Sequence, residues 1–156
     1  MKISILSVGT KMPKWVNEGV GEYEKRMPRE LSFSFQEIPL AKRAKSSNIS
    51  QCIQKEGQAM LAKLKSSDYV VALEINGKSI DTAGLAKRLD NFQQDNQNLT
   101  LLIGGPDGLG KECLARASEQ WSLSSLTLPH PLVRVLLAEQ LYRAWSILNG
   151  HPYHRE

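Results

Sequence analysis

The sequence has few of the features that mark a secreted, metal-binding or membrane-spanning chain. Its two cysteines, Cys52 and Cys113, lie among apolar neighbours in helical patterns, and no CxxC or Cys/His spacing accompanies them. The apolar run at residues 3–8 is too short for the core of a signal sequence or for a membrane span. We therefore expect a cytoplasmic protein with both cysteines buried for structural reasons and no bound metal.

Several catalytic motifs are missing as well. The chain contains no GxGxxG, HExxH or GxSxG pattern, which removes the main support for a Rossmann dinucleotide enzyme, a metalloprotease or an α/β-hydrolase. No repeat, low-complexity tract or flexible linker divides it, so its 156 residues predict one domain, 1–156. A single domain of this length leaves no room for a separate substrate module. We therefore expect a macromolecular substrate to require a second subunit.

What the sequence does have is a mild excess of positive charge. Twenty Lys and Arg against sixteen Asp and Glu give a net charge of +4 and a pI near 9.1, which fits a polyanionic partner without requiring one. A basic segment follows the second predicted strand. Two interpretations stay open, a solvated charge run or a phosphate-tracking surface. The residues concerned are Lys42, Arg43, Lys45, Lys11, Lys14, Arg26 and Arg29.

Strand and helix patterns alternate along the whole chain. Short apolar or β-branched runs predict strands at residues 2–8, 31–38, 69–75, 99–103 and 123–128. Helical periodicity and start signals predict helices at residues 13–26, 49–64, 82–94, 111–117 and 132–148. This alternation favours the α/β class, with a mostly parallel sheet covered by helices on both faces. The nearly continuous apolar runs at residues 69–73 and 99–103 are typical of central strands.

The last predicted helix has an apolar arc wide enough to contact both the sheet and another subunit. Arg134 falls inside that arc, in the first turn. A guanidinium in such surroundings needs a partner, because an unpaired buried charge is costly. Arg134 is therefore expected either in a structural ion pair or in contact with an anion or RNA beside the site.

Three loops follow predicted strands, at residues 76–78, 104–108 and 129–131. Each alone is explained as a tight turn rich in glycine or proline. Ligands in open parallel sheets bind at the carboxyl ends of the strands, and together these loops predict a pocket there.

The glycine loop also matches a phosphate-binding pattern. Gly105, four further residues and then Gly110 and Lys111 give GxxxxGK between a strand and a helix. Glu112 stands where Ser or Thr should bind magnesium, and Asp107 brings a carboxylate to the place of phosphate oxygens. Nucleoside triphosphate binding is therefore disfavoured.

Several longer segments resemble a known family. Residues 101–108, 121–134, 141–145 and 151–156 closely resemble the RlmH type of SPOUT methyltransferase, and residues 8–13 and 55–57 agree too. The resemblance spans essentially the whole chain. It implies a C-terminal trefoil knot, a homodimer, S-adenosylmethionine as cofactor, and methylation of N3 of a pseudouridine in 23S rRNA, on the assembled ribosome. The strand and helix patterns alone do not predict the knot.

The resemblance also implies site residues. Main-chain atoms of the cofactor-binding set would hold the donor: Leu73, Gly104, Gly105, Leu123, Ser124, Ser125, Leu126, Thr127 and Leu128. The expected catalytic set is Tyr153, His154, Arg155 and Arg134, with His154 a candidate base because its intrinsic pKa lies near neutrality. In this family the tail of one subunit is expected to complete the pocket of the other. The alternative is a non-catalytic rRNA-binding assembly factor with a vestigial pocket.

Overall fold

The sheet has five strands, and every neighbouring pair is parallel. In the computed structural model, which describes residues 1–154, the strand order is β2-β1-β4-β3-β5. The strands are β1 Ile3–Val8, β2 Ser34–Ile38, β3 Tyr69–Ser79, β4 Leu99–Ile103 and β5 Glu119–Ser122. The prediction of a mostly parallel sheet is confirmed, and β3 and β4 lie inside it as their apolar runs indicated.

Five α-helices connect and follow the strands. They are α1 Lys14–Glu24, α2 Ile49–Leu61, α3 Thr82–Gln94, α4 Lys111–Arg116 and α5 His130–Leu148. Two of them begin at side-chain caps: the Asn48 side chain accepts the Ser50 N–H at 2.8 Å, and Asp81 accepts the Gly84 N–H at 2.7 Å. No helix in residues 1–154 is long and apolar enough to cross a membrane.

Apolar cores cover both faces of the sheet. Alternate strand residues such as Ile5 and Leu101 pack with α3 and α5, whereas their neighbours Leu6 and Leu102 pack with Met60 of α2 and with α4. Because successive side chains of a strand point to opposite faces, a strand covered on both sides is mostly apolar, as β1 and β4 are. Cys52 and Cys113 are free and buried. The predicted helices on both faces are confirmed.

The fifth predicted strand is wrong in its position. Residues 119–122 form β5, and residues 123–129 form the loop to α5. In that loop Ser122 Oγ donates to the Ser124 carbonyl at 2.9 Å, and Ser124 Oγ accepts the Leu126 N–H at 2.9 Å. These side-chain hydrogen bonds satisfy main-chain groups that a strand would pair with a neighbour. Leu126 is 72% exposed, so its apolar side chain does not pack into the core beside the sheet.

Strand β3 contains the segment 76–78 that was predicted as a loop. Leu73 and Lys78 are both aligned with Trp121 of β5, so the four residues between them bulge out of the ladder. Gly77 lies in this bulge, and a Cβ there would be 2.8 Å from the backbone of Gln120.

The second predicted strand begins three residues too early. Residues Arg29–Leu31 form a 3₁₀ turn, and Ser32 has a φ of 38°, which ends that turn before β2 starts at Ser34. The trefoil knot stays a prediction.

Candidate functional site

A cleft of about 630 Å³ opens at the carboxyl ends of β3, β4 and β5. Its walls are the bulge after Leu73, the loop that follows β4, and the segment between β5 and the first turns of α5. This is the edge of a parallel sheet where ligands bind, and the volume lies in the range of small-molecule sites. Two of the three loops singled out in the sequence, residues 104–108 and 129–131, therefore meet around one cavity, whereas no residue of the segment 76–78 lines it.

Most of the predicted cofactor residues line this cleft. Ser125 is exposed and is not part of the wall. The other eight line it: Leu73, Gly104, Gly105, Leu123, Ser124, Leu126, Thr127 and Leu128. Leu73 is placed by the bulge of β3, the two glycines by the loop after β4, and the other five by the loop after β5. Their role in binding stays a prediction.

Other residues of the wall were missed. Glu74 and Ile75 come from the β3 bulge, Trp121 from β5, and His130 and Val133 from the start of α5. His130 was within the loop of residues 129–131 that was predicted to form part of a pocket. The position of that loop could therefore have identified His130 as a residue of the wall. Nothing in the pattern around Glu74 or Ile75 indicates that β3 bulges, because a bulge is set by the neighbouring strand.

The lining carries little charge. In the described part of the chain, no Lys or Arg side chain lines the cleft, and Glu74 is its one carboxylate. Burial raises the pKa of Glu74 above its ordinary value. Burial also lowers the pKa of His130, and the nearby positive charge of Arg134 adds to that effect. The neutral imidazole is therefore favoured at neutral pH, and the cleft is unsuited to a polyphosphate.

The loop after β4 folds on itself as a tight turn. Gly108 donates its N–H to the Gly105 carbonyl at 3.1 Å, and Gly108 has a φ of 79°, which favours glycine. A Cβ on Gly104 would lie 2.6 Å from the Gly108 carbonyl carbon. Asp107 is paired with Arg43 at 2.8 Å instead of pointing at a ligand, and Lys111 is exposed on α4. This arrangement is not a phosphate-binding loop.

Comparison with known proteins connects this cleft to an enzyme family. The family model described as "Predicted SPOUT methyltransferase" matches residues 1–154. The chain belongs to the SPOUT methyltransferase family. It is 56% identical over 155 residues to "Ribosomal RNA large subunit methyltransferase H" of Saccharophagus degradans, covering 99% of this chain and 100% of that protein. The protein of the same name from Hahella chejuensis is 54% identical over 156 residues, with 100% of both chains covered.

A solved structure supports the fold independently. "A probable methylase family protein" from Haemophilus influenzae Rd KW20 superposes with a TM-score of 0.57 over 99% of this chain and 70% of its own length. Only 10% of the aligned residues are identical, so this likeness shows the fold alone.

SPOUT methyltransferases use S-adenosylmethionine, and the chain is accordingly a methyltransferase that uses this donor. The cleft fits it. The donor has a positively charged sulfur, and no cationic side chain of the described residues lines the wall. Its adenine and hydrocarbon parts suit the apolar lining, while the glycines let backbone amides and carbonyls come close. No group of three His, Cys, Asp or Glu within residues 1–154 is placed to hold a metal ion.

Arg134 of this SPOUT chain is almost completely buried, and its partners are protein groups. The guanidinium donates to Glu37 Oε2 at 2.7 Å and to the carbonyls of Val8 and Gly9 at 3.0 and 2.8 Å. It also lies over the Phe35 ring, 5.4 Å from the centroid. Of the two interpretations of Arg134, the structure supports the ion pair. Its predicted catalytic role has no geometric support here.

Tyr153 and His154 pack against helix α5 of their own chain. Tyr153 donates its hydroxyl to Glu139 Oε1 at 3.0 Å and packs edge-on against the Tyr142 ring of α5. His154 Nδ1 lies 3.0 Å from Ser146 Oγ, and that hydroxyl donates to the Arg143 carbonyl at 2.8 Å. Arg155 lies outside the described residues.

These tail residues do not line the cleft of their own subunit. The cleft wall includes Val133 in the first turn of α5, whereas His154 contacts Ser146 near the end of that helix. At 1.5 Å per residue these two helix positions are roughly 20 Å apart. Tyr153 folds back only as far as Glu139, in the middle of α5. The predicted base and the predicted donor site are therefore separate within one chain.

The predicted basic surface is divided by the fold. Lys11, Lys14, Lys42 and Lys45 are exposed in segments that follow β1 and β2, and so lie at the same sheet edge as the cleft. Arg26 and Arg29 lie past the end of α1, at the opposite edge. Arg43 is turned inward to Glu56 and Asp107. A phosphate-tracking role of the four lysines stays a prediction.

Proposed function

We propose that this protein transfers a methyl group from S-adenosylmethionine to N3 of a pseudouridine in 23S rRNA, as a homodimer that acts on the assembled ribosome in the cytoplasm. The observation that carries the proposal is the cleft at the sheet edge, whose wall contains eight of the nine residues expected to hold the donor and no Lys or Arg of the described chain. The relatives named ribosomal RNA large subunit methyltransferase H support the choice of rRNA as acceptor.

The donor would be held mainly by main-chain groups. Gly104 and Gly105 allow close approach on one side, and the loop of residues 123–128 encloses the other side. Glu74 gives a carboxylate that complements a cationic ligand. When bound, S-adenosylmethionine supplies a methyl group from its sulfonium. The rest of the donor is then the leaving group, with its sulfur as a neutral thioether.

The protein's own task is to align the acceptor and remove its proton. As the bond from N3 to the methyl carbon forms and the bond from carbon to sulfur breaks, the N3 proton must go to a base. The His154 imidazole suits this role, and its contact with Ser146 Oγ orients the ring. Tyr153 and Arg155 are assigned to the uracil ring and its oxygens.

The homodimer is supported by the separation of the predicted base from its own cleft. His154 contacts Ser146, roughly 20 Å along α5 from Val133 in the cleft wall, so we expect it to serve the cleft of another subunit. Four exposed apolar side chains also lie at or beside the cleft. Ile75 and Leu126 are in its wall, Leu40 adjoins Gly105, and Leu132 precedes Val133. Such clustered apolar exposure is typical of a surface covered by a partner.

Mass mapping of 23S rRNA tests the activity. A strain without this protein should lack one methyl group on a pseudouridine, and a plasmid copy of the gene should restore it. The assembly-factor alternative predicts complete methylation in that strain, together with no binding heat when the purified protein is titrated with S-adenosylmethionine. That pair of results would contradict the proposal.

A mixed dimer tests the composite site. One subunit lacks residues 151–156 and keeps its cleft, and the other carries Gly104→Val and keeps its tail. Each homodimer should be inactive, whereas the two subunits expressed together should regain up to about half of the wild-type activity per heterodimer, since one cleft again meets one tail. Methyl transfer to ribosomes, measured with labelled donor on tag-purified heterodimers, is the readout. A tail that acts within its own chain predicts no recovery.

A further inference from the structure

An ion network that is buried at Glu56 and 35% exposed at Asp107 lies behind the glycine loop of the cleft. The Arg43 guanidinium donates to Glu56 Oε2 at 2.6 Å, to Glu56 Oε1 at 3.2 Å and to Asp107 Oδ2 at 2.8 Å. It also donates to the Ala41 carbonyl at 2.9 Å, and Glu56 accepts the Ala41 N–H at 3.0 Å. The Glu56 side chain is only 3% exposed and that of Arg43 only 19%. One guanidinium thus joins three separate parts of the chain.

The three parts differ in how firmly they are held. Glu56 is on α2, packed against the sheet, and Ala41 follows β2. Asp107 is in the loop of residues 104–108, whose other members are three glycines and a proline. Asp107 is therefore the one residue of that loop with a polar side chain. It is the one residue through which a side-chain hydrogen bond can hold the loop in place. Glycine-rich backbone has high conformational freedom, and ordering it upon binding weakens affinity.

We propose that Arg43 is a positioning residue that fixes the donor-binding loop through Asp107, with Glu56 as its buried anchor. The inference rests on the proposed donor site. It assigns a role to the Arg43 position, which the charge pattern alone placed in a solvated run or a phosphate-binding surface. It also gives a role to Asp107, whose carboxylate does not fit a phosphate-binding loop. The Arg43–Asp107 pair fixes the conformation of the loop before the donor binds, and neither residue contacts the donor.

The substitution Asp107→Asn tests this role without disturbing the buried pair. It leaves the Arg43–Glu56 contacts in place and removes only the charge that holds the loop. We expect the Kd for S-adenosylmethionine, measured by calorimetry, to rise about fivefold to tenfold, as for loss of a charge-assisted hydrogen bond. Asp107→Glu keeps a carboxylate and should stay within about twofold of the unaltered protein. Glu112→Gln is the matched control, because it removes the same charge from the neighbouring helix α4 and should leave the Kd unchanged.

Two further measurements distinguish positioning from simple stabilisation. Amide hydrogen exchange without donor should increase in residues 104–109 of the Asp107→Asn protein and not elsewhere. The effects of Arg43→Lys and Asp107→Asn on the Kd should be less than additive when combined, because both changes break the contact between Arg43 and Asp107.

The outcomes separate the two proposals. An unaltered protein that gives no binding heat contradicts the donor site itself. Normal binding by the unaltered protein together with an unchanged Kd for Asp107→Asn, or an equal loss for Glu112→Gln, overturns the role of Arg43.

Discussion

Replacing Gly104 with alanine is expected to weaken donor binding by about 10- to 100-fold, because overpacking a well-packed site costs about 1–3 kcal/mol. An added Cβ would lie 2.6 Å from the Gly108 carbonyl carbon and 2.8 Å from the Leu109 nitrogen. Both are backbone atoms, so no rotation of a side chain relieves the overlap. The turn of residues 104–108 has to open into the cleft.

Calorimetry with S-adenosylmethionine measures this effect, and urea unfolding shows that the variant is folded at the temperature used. Gly21→Ala is the matched control, since nothing lies within 4 Å of a Cβ there and the residue is on α1. Its donor affinity should not change, and its stability should rise slightly through helix propensity. Wild-type affinity in the Gly104→Ala protein would show that the turn next to β4 is not part of the donor site.

Replacing Arg134 with methionine is expected to lower the free energy of unfolding by about 2–4 kcal/mol, since it strips hydrogen bonds from buried groups. The guanidinium is 1% exposed, and it satisfies the carbonyls of Val8 and Gly9 as well as Glu37. A methionine side chain fills similar space and offers no donor. Two main-chain oxygens at the end of β1 would then have no partner.

Urea titration measures this loss, with Arg26→Met as control. Arg26 forms an exposed ion pair with Glu22, and its replacement should give no measurable change in stability. Unchanged stability of the Arg134→Met protein together with loss of methyl transfer would be the opposite outcome. It would return Arg134 to the catalytic role that the resemblance implied.

The part of the fold that follows from local patterns was predictable. Strands β1 and β4 are covered on both faces, so their composition alone identifies them, and Asn48 and Asp81 mark helix starts by their own chemistry. The run at residues 123–128 contains three leucines but has no neighbouring strand to pair with. Periodicity cannot distinguish a strand from an extended loop that lines a cavity.

The site was predictable to the extent that its residues lie at strand ends. The glycine loop and the Pro129–Pro131 turn were located from the sequence, and the resemblance added the segment after β5. Glu74 was missed because it enters the wall through a bulge that depends on β5. Arg43 was misjudged because its exposure depends on Glu56 and Asp107, which are 13 and 64 residues away along the chain.

The loop after β5 is held by serine hydroxyls bonded to its own backbone, and its Leu126 side chain is directed largely to solvent. In the proposed site the ligand contacts amides and carbonyls there, which every residue except proline supplies equally. The recognition surface consequently depends on the course of the backbone. Many of its side chains can therefore vary, provided that the turns are kept. Mutational scanning of such an enzyme should find that side-chain substitutions are tolerated at the residues whose backbone contacts the ligand. Substitutions should not be tolerated at the glycines and ion pairs that fix the turns behind those residues.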